Sequence, residues 1–210
     1  MLHVINQSSM FISIEGNIGS GKSTLAQALA KKLKATYLPE QFEENVLLSL
    51  LYSDSSKFAF PTEYAFLIDR HKQLINYFKN KKTTHVTVSD FHFDKCLCFA
   101  KTNLAKTDYA FYKKHFKALQ QTVKQPDVII YLKTEIPHLI SNIKKRSRKD
   151  ELNMKESYLV ALQKQLDSYY LKKLKSAIKP IAVTIEKYDS KTMEQLSELI
   201  IKDYLNKSIL

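Results

Sequence analysis

The chain has 210 residues and a formal net charge of +12, with 33 lysines and arginines against 21 aspartates and glutamates. This length fits a single domain over residues 1–210, and the apolar runs are far too short for a membrane-spanning helix. Only three of the basic residues are arginine, and the lysines are dispersed over predicted helix faces, so the charge indicates a lysine-rich composition and no nucleic-acid partner.

The first functional motif is a glycine-rich loop near the N-terminus. All three glycines lie between Gly16 and Gly21, and with Lys22 and Ser23 they form a P-loop of pattern G-x-x-x-x-G-K-S. A short apolar run at 10–14 predicts a strand before the loop, and residues 23–34 have helical spacing. Such a loop surrounds phosphate oxygens with amides, while its lysine reaches the terminal phosphates and its serine binds Mg²⁺. The predicted ATP site comprises Gly16, Asn17, Ile18, Gly19, Ser20, Gly21, Lys22, Ser23 and Thr24.

The remainder of the chain alternates between predicted strands and helices. Apolar and β-branched runs predict strands at 35–38, 86–90, 127–132 and 180–185. Helical spacing predicts helices at about 42–78, 109–123, 136–148, 157–174 and 192–205. This alternation implies right-handed crossovers, so we predict an α/β fold of three layers, in which helices cover both faces of a five-stranded parallel sheet.

Two carboxylates follow predicted strands. Glu40 comes after the second strand and Asp90 ends the third, so both should meet the P-loop at the carboxyl edge of the sheet. Phosphoryl transfer needs a carboxylate for the acceptor hydroxyl and another to help hold the metal ion. We predict that Glu40 serves the hydroxyl and that Ser23 and Asp90 hold Mg²⁺. Helix capping or simple solvent exposure of Glu40 and Asp90 is the alternative.

The two cysteines carry information about location. Cys96 and Cys98 lie too close together, and are too few, for a disulfide framework or a metal site. The six histidines lack the paired spacings of zinc ligands. We therefore expect a protein of the reducing cytoplasm.

A basic cluster lies between the fourth strand and the next long helix. It contains Arg146 and Arg148 within a predicted lid at about 144–152. Arginine grips phosphate with a fixed, bidentate geometry, and a short lid of this kind can close over a bound triphosphate. The alternative is a solvated helix end whose charges compensate the helix dipole.

Taken together, these motifs resemble those of the deoxynucleoside kinase family of the P-loop kinase superfamily, over nearly the whole chain. The matching segments are Gly16–Ser23, Pro39–Glu40 and Arg146–Glu151, together with Tyr52 and Arg70 at family spacings. The family has a five-stranded parallel sheet and is often dimeric, which implies a homodimer here. The helix face with Tyr109, Tyr112, Phe116 and Leu119 is a candidate interface, although these residues would equally suit the core.

The resemblance also implies roles for individual side chains. Glu40 would be the base for the nucleoside 5′-hydroxyl, and Arg146 and Arg148 would bind phosphate. Tyr52 and Glu151 would share the sugar 3′-hydroxyl. Arg70 would lie near the nucleobase.

The chain departs from the family pattern at two positions. Glu63 stands where most relatives have a base-reading glutamine, and Phe91 follows Asp90 where they have an arginine that positions the base carboxylate. Lys95 or His92 are candidates to compensate for that arginine. If neither does, the chain would be a nucleotide-binding regulator of low activity.

Glu63 indicates the kind of acceptor. An ionised glutamate only accepts hydrogen bonds, so it favours an edge with two adjacent donors, which guanine and pterins present and adenine, cytosine and thymine do not. The sequence therefore predicts ATP-dependent phosphorylation of a purine deoxynucleoside with a guanine-like edge, with a pterin-like small molecule as the alternative acceptor. A second alternative is that Glu63 pairs with Arg70 on the same helix and contacts no ligand.

Overall fold

A five-stranded parallel sheet forms the centre of the protein. The computed structural model describes residues 10–41, 47, 50–51, 55–80, 85–148, 151, 154–174, 180–185 and 190–205. The strands are β1 (Phe11–Gly16), β2 (Thr36–Leu38), β3 (Thr87–Ser89), β4 (Val128–Thr134) and β5 (Ile181–Ile185). Their order is β2-β3-β1-β4-β5, and every neighbouring pair is parallel. The predicted sheet is confirmed.

Helices connect the strands and cover both faces of the sheet. Their bounds are α1 (Lys22–Leu33), α2 (Ser55–Asn80), α3 (Lys95–Asn103), α4 (Lys106–Gln120), α5 (Ile136–Arg146), α6 (Glu156–Asp167) and α7 (Ser190–Ile200). Turns of π-helix extend α6 over Ser168–Lys173 and α7 over Ile201–Leu205. None of the helices in the described ranges is long and apolar enough to cross a bilayer.

Some helix bounds differ from those predicted. The helix predicted over 136–148 ends at Arg146 because Ser147 adopts a left-handed conformation with φ of 50°. Helix α3 was not predicted, because its buried face includes a lysine and two cysteines in addition to Ala100 and so breaks the apolar periodicity. A long helix was predicted to begin at about residue 42, but residues 42–46 lie outside the described residues.

The hydrophobic core is divided between the two faces of the sheet. On one face, Ile12, Ile14 and Ile130 pack with residues of α1 and α7. On the other face, Phe11 packs with residues of α2, α3 and α4, which include Tyr112 and Phe116. The interface face proposed for α4 is therefore partly wrong, because Tyr112 and Phe116 are fully buried within this core.

Parallel pairing brings the ends of three strands to one edge of the sheet. Ser89 at the end of β3 is in register with Leu38 of β2 and with Ser13 of β1. The residues that follow these strands, namely the P-loop, Glu40 and Asp90, therefore meet at the carboxyl edge.

Candidate active site

The P-loop joins β1 to α1 in a conformation that its glycines make possible. Gly19 and Gly21 have φ values of 81° and 85°, which few other residues adopt. A Cβ on Gly19 would also lie 2.8 Å from the carbonyl oxygen of Leu139. The first helical hydrogen bond of α1 runs from the Leu25 amide to the Gly21 carbonyl, so the preceding amides have no acceptor within the helix. They form the positive end of a helix dipole at the loop, where phosphate binds favourably.

The P-loop side chains differ in their exposure to the pocket. Ile18, Gly19, Lys22 and Ser23 line it. Asn17 is fully buried, and its side-chain amide donates to the Leu159 carbonyl and to Gln163 on α6. Ser20 is also buried, Thr24 is exposed, and the two remaining glycines, Gly16 and Gly21, have no side chain to offer. The side chain of Asn17 therefore supports the loop, and Asn17 can contact a nucleotide only through its backbone.

The Lys22 ammonium lies against the loop itself. Its Nζ donates to the carbonyl oxygens of Gly16 at 3.1 Å and Asn17 at 2.9 Å. Burial, with the nearby Lys95 ammonium as the next cause, lowers the pKa of Lys22 to about 8. An anion in the pocket would favour the charged form of this group.

One pocket brings together most of the side chains predicted for chemistry. Their positions in the sequence span more than half the chain, yet all of them line this pocket beyond the ends of the strands. They are Lys22, Ser23, Glu40, Glu63, Arg70, Asp90, Arg146, Arg148 and Glu151. Tyr52 lies outside the described residues.

Glu40 is held by two cations. The Nε and Nη2 atoms of Arg70 both lie 2.7 Å from Oε1 of Glu40, and Nζ of Lys95 lies 2.8 Å from Oε2. Burial raises the pKa of Glu40, but the charges of Lys95 and Arg70 outweigh this effect and lower it to about 2. Glu40 is therefore ionised at neutral pH. A carboxylate with so low a pKa is a weak base and is better suited to orient a hydroxyl than to remove its proton, since proton transfer is most efficient when the pKa of the base lies near the working pH.

Asp90 ties the ends of β2 and β3 together. Its Oδ1 accepts the backbone amide of Glu40 at 2.7 Å, and its Oδ2 accepts the hydroxyl of Tyr37 at 2.7 Å. Each carboxylate oxygen retains further acceptor capacity, and Asp90 lines the pocket together with Ser23. The described residues contain no group of three or more His, Cys, Asp or Glu side chains suited to a metal ion. The Ser23 hydroxyl and the Asp90 carboxylate fit Mg²⁺, which usually takes one or two protein oxygens and completes its shell with phosphates and water.

Glu63 lines the pocket and is buried, with 2% of its surface exposed. Its Oε1 accepts the side-chain amide of Asn103 at 2.6 Å, and its Oε2 has no partner among the described residues. Burial raises the pKa of Glu63 to about 7, against the opposing effects of Asn103 and Arg70. The alternative that Glu63 pairs with Arg70 is wrong, because Arg70 forms its ion pair with Glu40.

The lid arginines both face Glu151. The Nε atom of Arg146 lies 2.6 Å from Oε2 of Glu151, and Nη1 of Arg148 lies 3.9 Å from Oε1. Glu151 is only 7% exposed. The Glu151 carboxylate thus binds the two arginines in the way that a phosphate would. The arginines must therefore release Glu151 before they can bind a triphosphate.

Sequence reasoning missed part of this site. No role was predicted for Asn103 from the sequence, and Lys95 was named only as a candidate to compensate for the missing arginine. Glu15 was also missed, although a carboxylate that ends an apolar strand directly before a P-loop is a visible signal. Glu15 is fully buried, and its oxygens accept the amides of Gly16 at 3.1 Å and His92 at 2.7 Å.

The fold and this site define a class of protein. A P-loop after the central strand, a carboxylate at the end of a neighbouring strand and two arginines above the same pocket are the parts of a P-loop kinase. The sequence model of the family described as deoxynucleoside kinase matches residues 12–209. The chain belongs to the deoxynucleoside kinase family, and it is a phosphotransferase of this kind.

Individual relatives support the same assignment. The chain is 35% identical over 185 residues to a deoxyguanosine kinase of Bacillus subtilis, which covers 86% of this chain and 87% of that protein. It is 32% identical over 168 residues to a deoxyadenosine/deoxycytidine kinase of the same organism, with 74% of each chain covered. A deoxyadenosine kinase from M. mycoides, solved with bound dATP, has a TM-score of 0.80 and 31% identity, covering 94% of this chain and 100% of that chain.

Proposed function

We propose that this protein phosphorylates the 5′-hydroxyl of purine deoxynucleosides with ATP and that it prefers deoxyguanosine. The observation that carries the preference is the Oε2 atom of Glu63, which has no partner within the part of the chain that the structure describes and is buried in the same pocket as the P-loop lysine. Guanine presents two adjacent donors, N1–H and the exocyclic amino group. Ionised Glu63 can accept both, since Asn103 occupies only one lone pair of Oε1.

The other pocket residues then have definite roles. Lys22 and the amides at the start of α1 hold the triphosphate, and Glu40 orients the 5′-hydroxyl towards its terminal phosphorus. Arg146 and Arg148 leave Glu151 and neutralise charge on the transferring group, which frees Glu151 for the sugar 3′-hydroxyl. Ser23 and Asp90 would hold Mg²⁺, which neutralises phosphate charge when it is bound.

The two alternatives are less well supported. The named relatives act on deoxynucleosides, so nothing in the comparisons favours a pterin-like acceptor, although a pterin offers the same pair of donors. The low-activity regulator was suggested by the absence of an arginine after Asp90. That argument loses force because Lys95 already places a cation against Glu40.

Replacement of Glu63 tests the proposed base preference. The wild-type protein should prefer deoxyguanosine when deoxyguanosine, deoxyadenosine and deoxycytidine compete for ATP-dependent phosphorylation. The Glu63→Gln variant presents one donor and one acceptor, so it should lose about tenfold or more of that preference, since an unmatched buried acceptor costs about 1–3 kcal/mol. Product ratios measured by chromatography give the result.

Glu198→Gln is the matched control for this experiment. It removes the same charge from an exposed position on α7, where Glu198 pairs with Lys32 and does not line the pocket. This variant should retain the wild-type order of nucleosides. A wild-type preference for deoxycytidine, or an unchanged order in Glu63→Gln, would contradict the assignment of guanine.

The preference for deoxyguanosine should depend on pH. An acid is ionised above its pKa, and burial raises the pKa of Glu63 to about 7. The ratio of kcat/KM for deoxyguanosine to that for deoxyadenosine should therefore rise with pH through about 7, because kcat/KM reports ionisations of the free enzyme. Lys22, whose pKa is about 8, titrates in the same region. It faces the phosphates, affects both nucleosides alike and cancels in the ratio.

The pH profile has a clear control. In Glu63→Gln the ratio should be flat between about pH 6 and about pH 8.5, because an amide does not titrate. A flat ratio in the wild-type protein, or the same slope in both proteins, would show that Glu63 does not read the base.

We further propose a cytoplasmic protein of one domain that forms a homodimer. Cys96 and Cys98 are both free thiols and buried, which suits a reducing compartment. The family match from 12 to 209 supports one domain. For the dimer, Tyr109 and Leu119 remain candidates because they are partly exposed on α4, and the ring of Phe111 on the same helix is 52% exposed.

A further inference from the structure

Lys95 is a buried lysine at the first position of α3. Its side chain is 4% exposed, and its Nζ lies 2.8 Å from Oε2 of Glu40 and 4.0 Å from Oε1 of Glu15. The ammonium also lies 5.4 Å from the centre of the Phe99 ring. Lysine is rarely buried without a partner, so the surroundings of this residue indicate a specific electrostatic role.

The chain after β3 explains how Lys95 reaches this position. Phe91 and Phe93 turn into the core beside α4, and the hydroxyls of Ser13 and Ser89 both donate to the Phe91 carbonyl at 2.7 Å. The Lys95 amide then donates to the His92 carbonyl as α3 begins. The residue directly after Asp90 is therefore unable to present a charge to the pocket, and the start of α3 does so instead.

The cations around Glu40 divide its two oxygens between them. Arg70 on α2 binds only Oε1, and Lys95 on α3 binds only Oε2. Of the other charged groups nearby, Lys22 favours the ionised form of Glu40 and Asp90 is occupied by the Glu40 amide and Tyr37. Without Lys95, no cation of the described residues would bind Oε2, and among these residues Arg70 alone would limit rotation of the carboxylate.

We propose that Lys95 is a positioning residue for phosphoryl transfer, which fixes Oε2 of Glu40 so that the carboxylate is aimed at the acceptor 5′-hydroxyl. This inference rests on the proposed function, because it assigns a second contact to the carboxylate that serves the acceptor. Lys95 acts through Glu40 and does not itself bind the nucleoside. Its removal should therefore change kcat much more than the KM for nucleoside.

Four variants test this proposal: Lys95→Met, Lys95→Arg, Glu40→Gln and the double variant Glu40→Gln with Lys95→Met. Lys95→Met should lower kcat by about 100-fold, the scale of effect expected when a reacting group is misplaced. The KM for nucleoside should change by less than about threefold, because Lys95 does not itself bind the nucleoside. Lys95→Arg should restore most of kcat, because it returns a cation to Oε2 of Glu40.

The double variant separates positioning from a merely structural effect. If Lys95 acts through Glu40, Lys95→Met should lower kcat by less than about threefold in the Glu40→Gln background, because the two changes remove the same function. Removing either partner of a buried ion pair destabilises the fold, so melting temperatures are measured for all four variants, and Lys95→Arg, which keeps a cation at Oε2, remains informative where Lys95→Met folds poorly. Lys101→Met is the control, since it removes a charge from an exposed position on the same helix.

Each outcome decides the question. Equal effects of Lys95→Met in both backgrounds, failure of Lys95→Arg to recover kcat, or wild-type kinetics in Lys95→Met would overturn the role of Lys95 and leave the proposed function intact. Absence of nucleoside phosphorylation by the wild-type protein would overturn the proposed function itself.

Discussion

Lys22→Met should reduce kcat/KM for ATP by about a thousandfold, because removing one preorganised charge from a transferring phosphoryl group typically costs about 10²–10³ in rate. Lys22 is the P-loop cation, and its ammonium rests on the carbonyls of Gly16 and Asn17 at the mouth of the pocket. Methionine preserves the length and apolar stem of lysine and removes only the charge. Steady-state kinetics with ATP varied at saturating nucleoside measures the loss.

The control for Lys22 is another lysine of the same helix. Lys31 is exposed in the last turn of α1, at the opposite end of the helix from the P-loop. Lys31→Met removes an equal charge and should retain wild-type kinetics. Activity of Lys22→Met within about threefold of the wild type would mean that the loop does not hold the transferring phosphate in the way that we propose.

Glu40→Gln should reduce kcat by about 100-fold or more, the scale of effect expected when the acceptor hydroxyl is no longer oriented. The amide keeps the shape of the carboxylate but loses the charge that Arg70 and Lys95 bind at 2.7 Å and 2.8 Å. Affinity for ATP, measured by calorimetry, should stay close to that of the wild type, because Glu40 serves the acceptor. Single-turnover measurements show whether the loss lies in the chemical step.

A second variant at Glu40 guards against loss of folding. Removing one partner of a buried ion pair costs about 3–5 kcal/mol, so the melting temperature of Glu40→Gln should be measured alongside its activity. Glu40→Asp retains the charge but retracts it by one methylene, and it should fold better while remaining slow. The exposed residue Glu135 provides the control Glu135→Gln. Turnover by Glu40→Gln near the wild-type rate would favour a nucleotide-binding protein in which this carboxylate has no catalytic role.

Most of the cations that line the pocket are paired with carboxylates of the protein. Arg146 and Arg148 are paired with Glu151, while Glu40 is paired with Arg70 and Lys95. Of the five cations that line the pocket in the described ranges, all except Lys22 therefore have a carboxylate partner before any phosphate arrives. Lys22, whose partners are neutral carbonyls, is the cation most readily available to an incoming triphosphate.

The P-loop and the five-stranded sheet could both be predicted from the sequence. A P-loop is a local motif, in which the glycines, the lysine and the following helix lie within one short segment from Gly16 to Leu33. Apolar runs located all five strands to within a few residues, because buried parallel strands need continuous hydrophobic sequence. The meeting of Glu40 and Asp90 followed from the rule that parallel strands end at a common edge.

The pairing of charged side chains could not be predicted from the sequence. Arg70, thirty positions from Glu40 in the sequence, and Lys95, fifty-five positions away, reach the same carboxylate from different helices. Asn103 reaches Oε1 of Glu63 in the same way, while Oε2 of Glu63 has no partner among the residues with described positions. No local pattern reveals such contacts, because they depend on how α2 and α3 pack over the ends of the strands. Helix α3 was also not predicted from the sequence, because Lys95, which is buried beside Glu40, interrupts the apolar spacing by which helices are recognised.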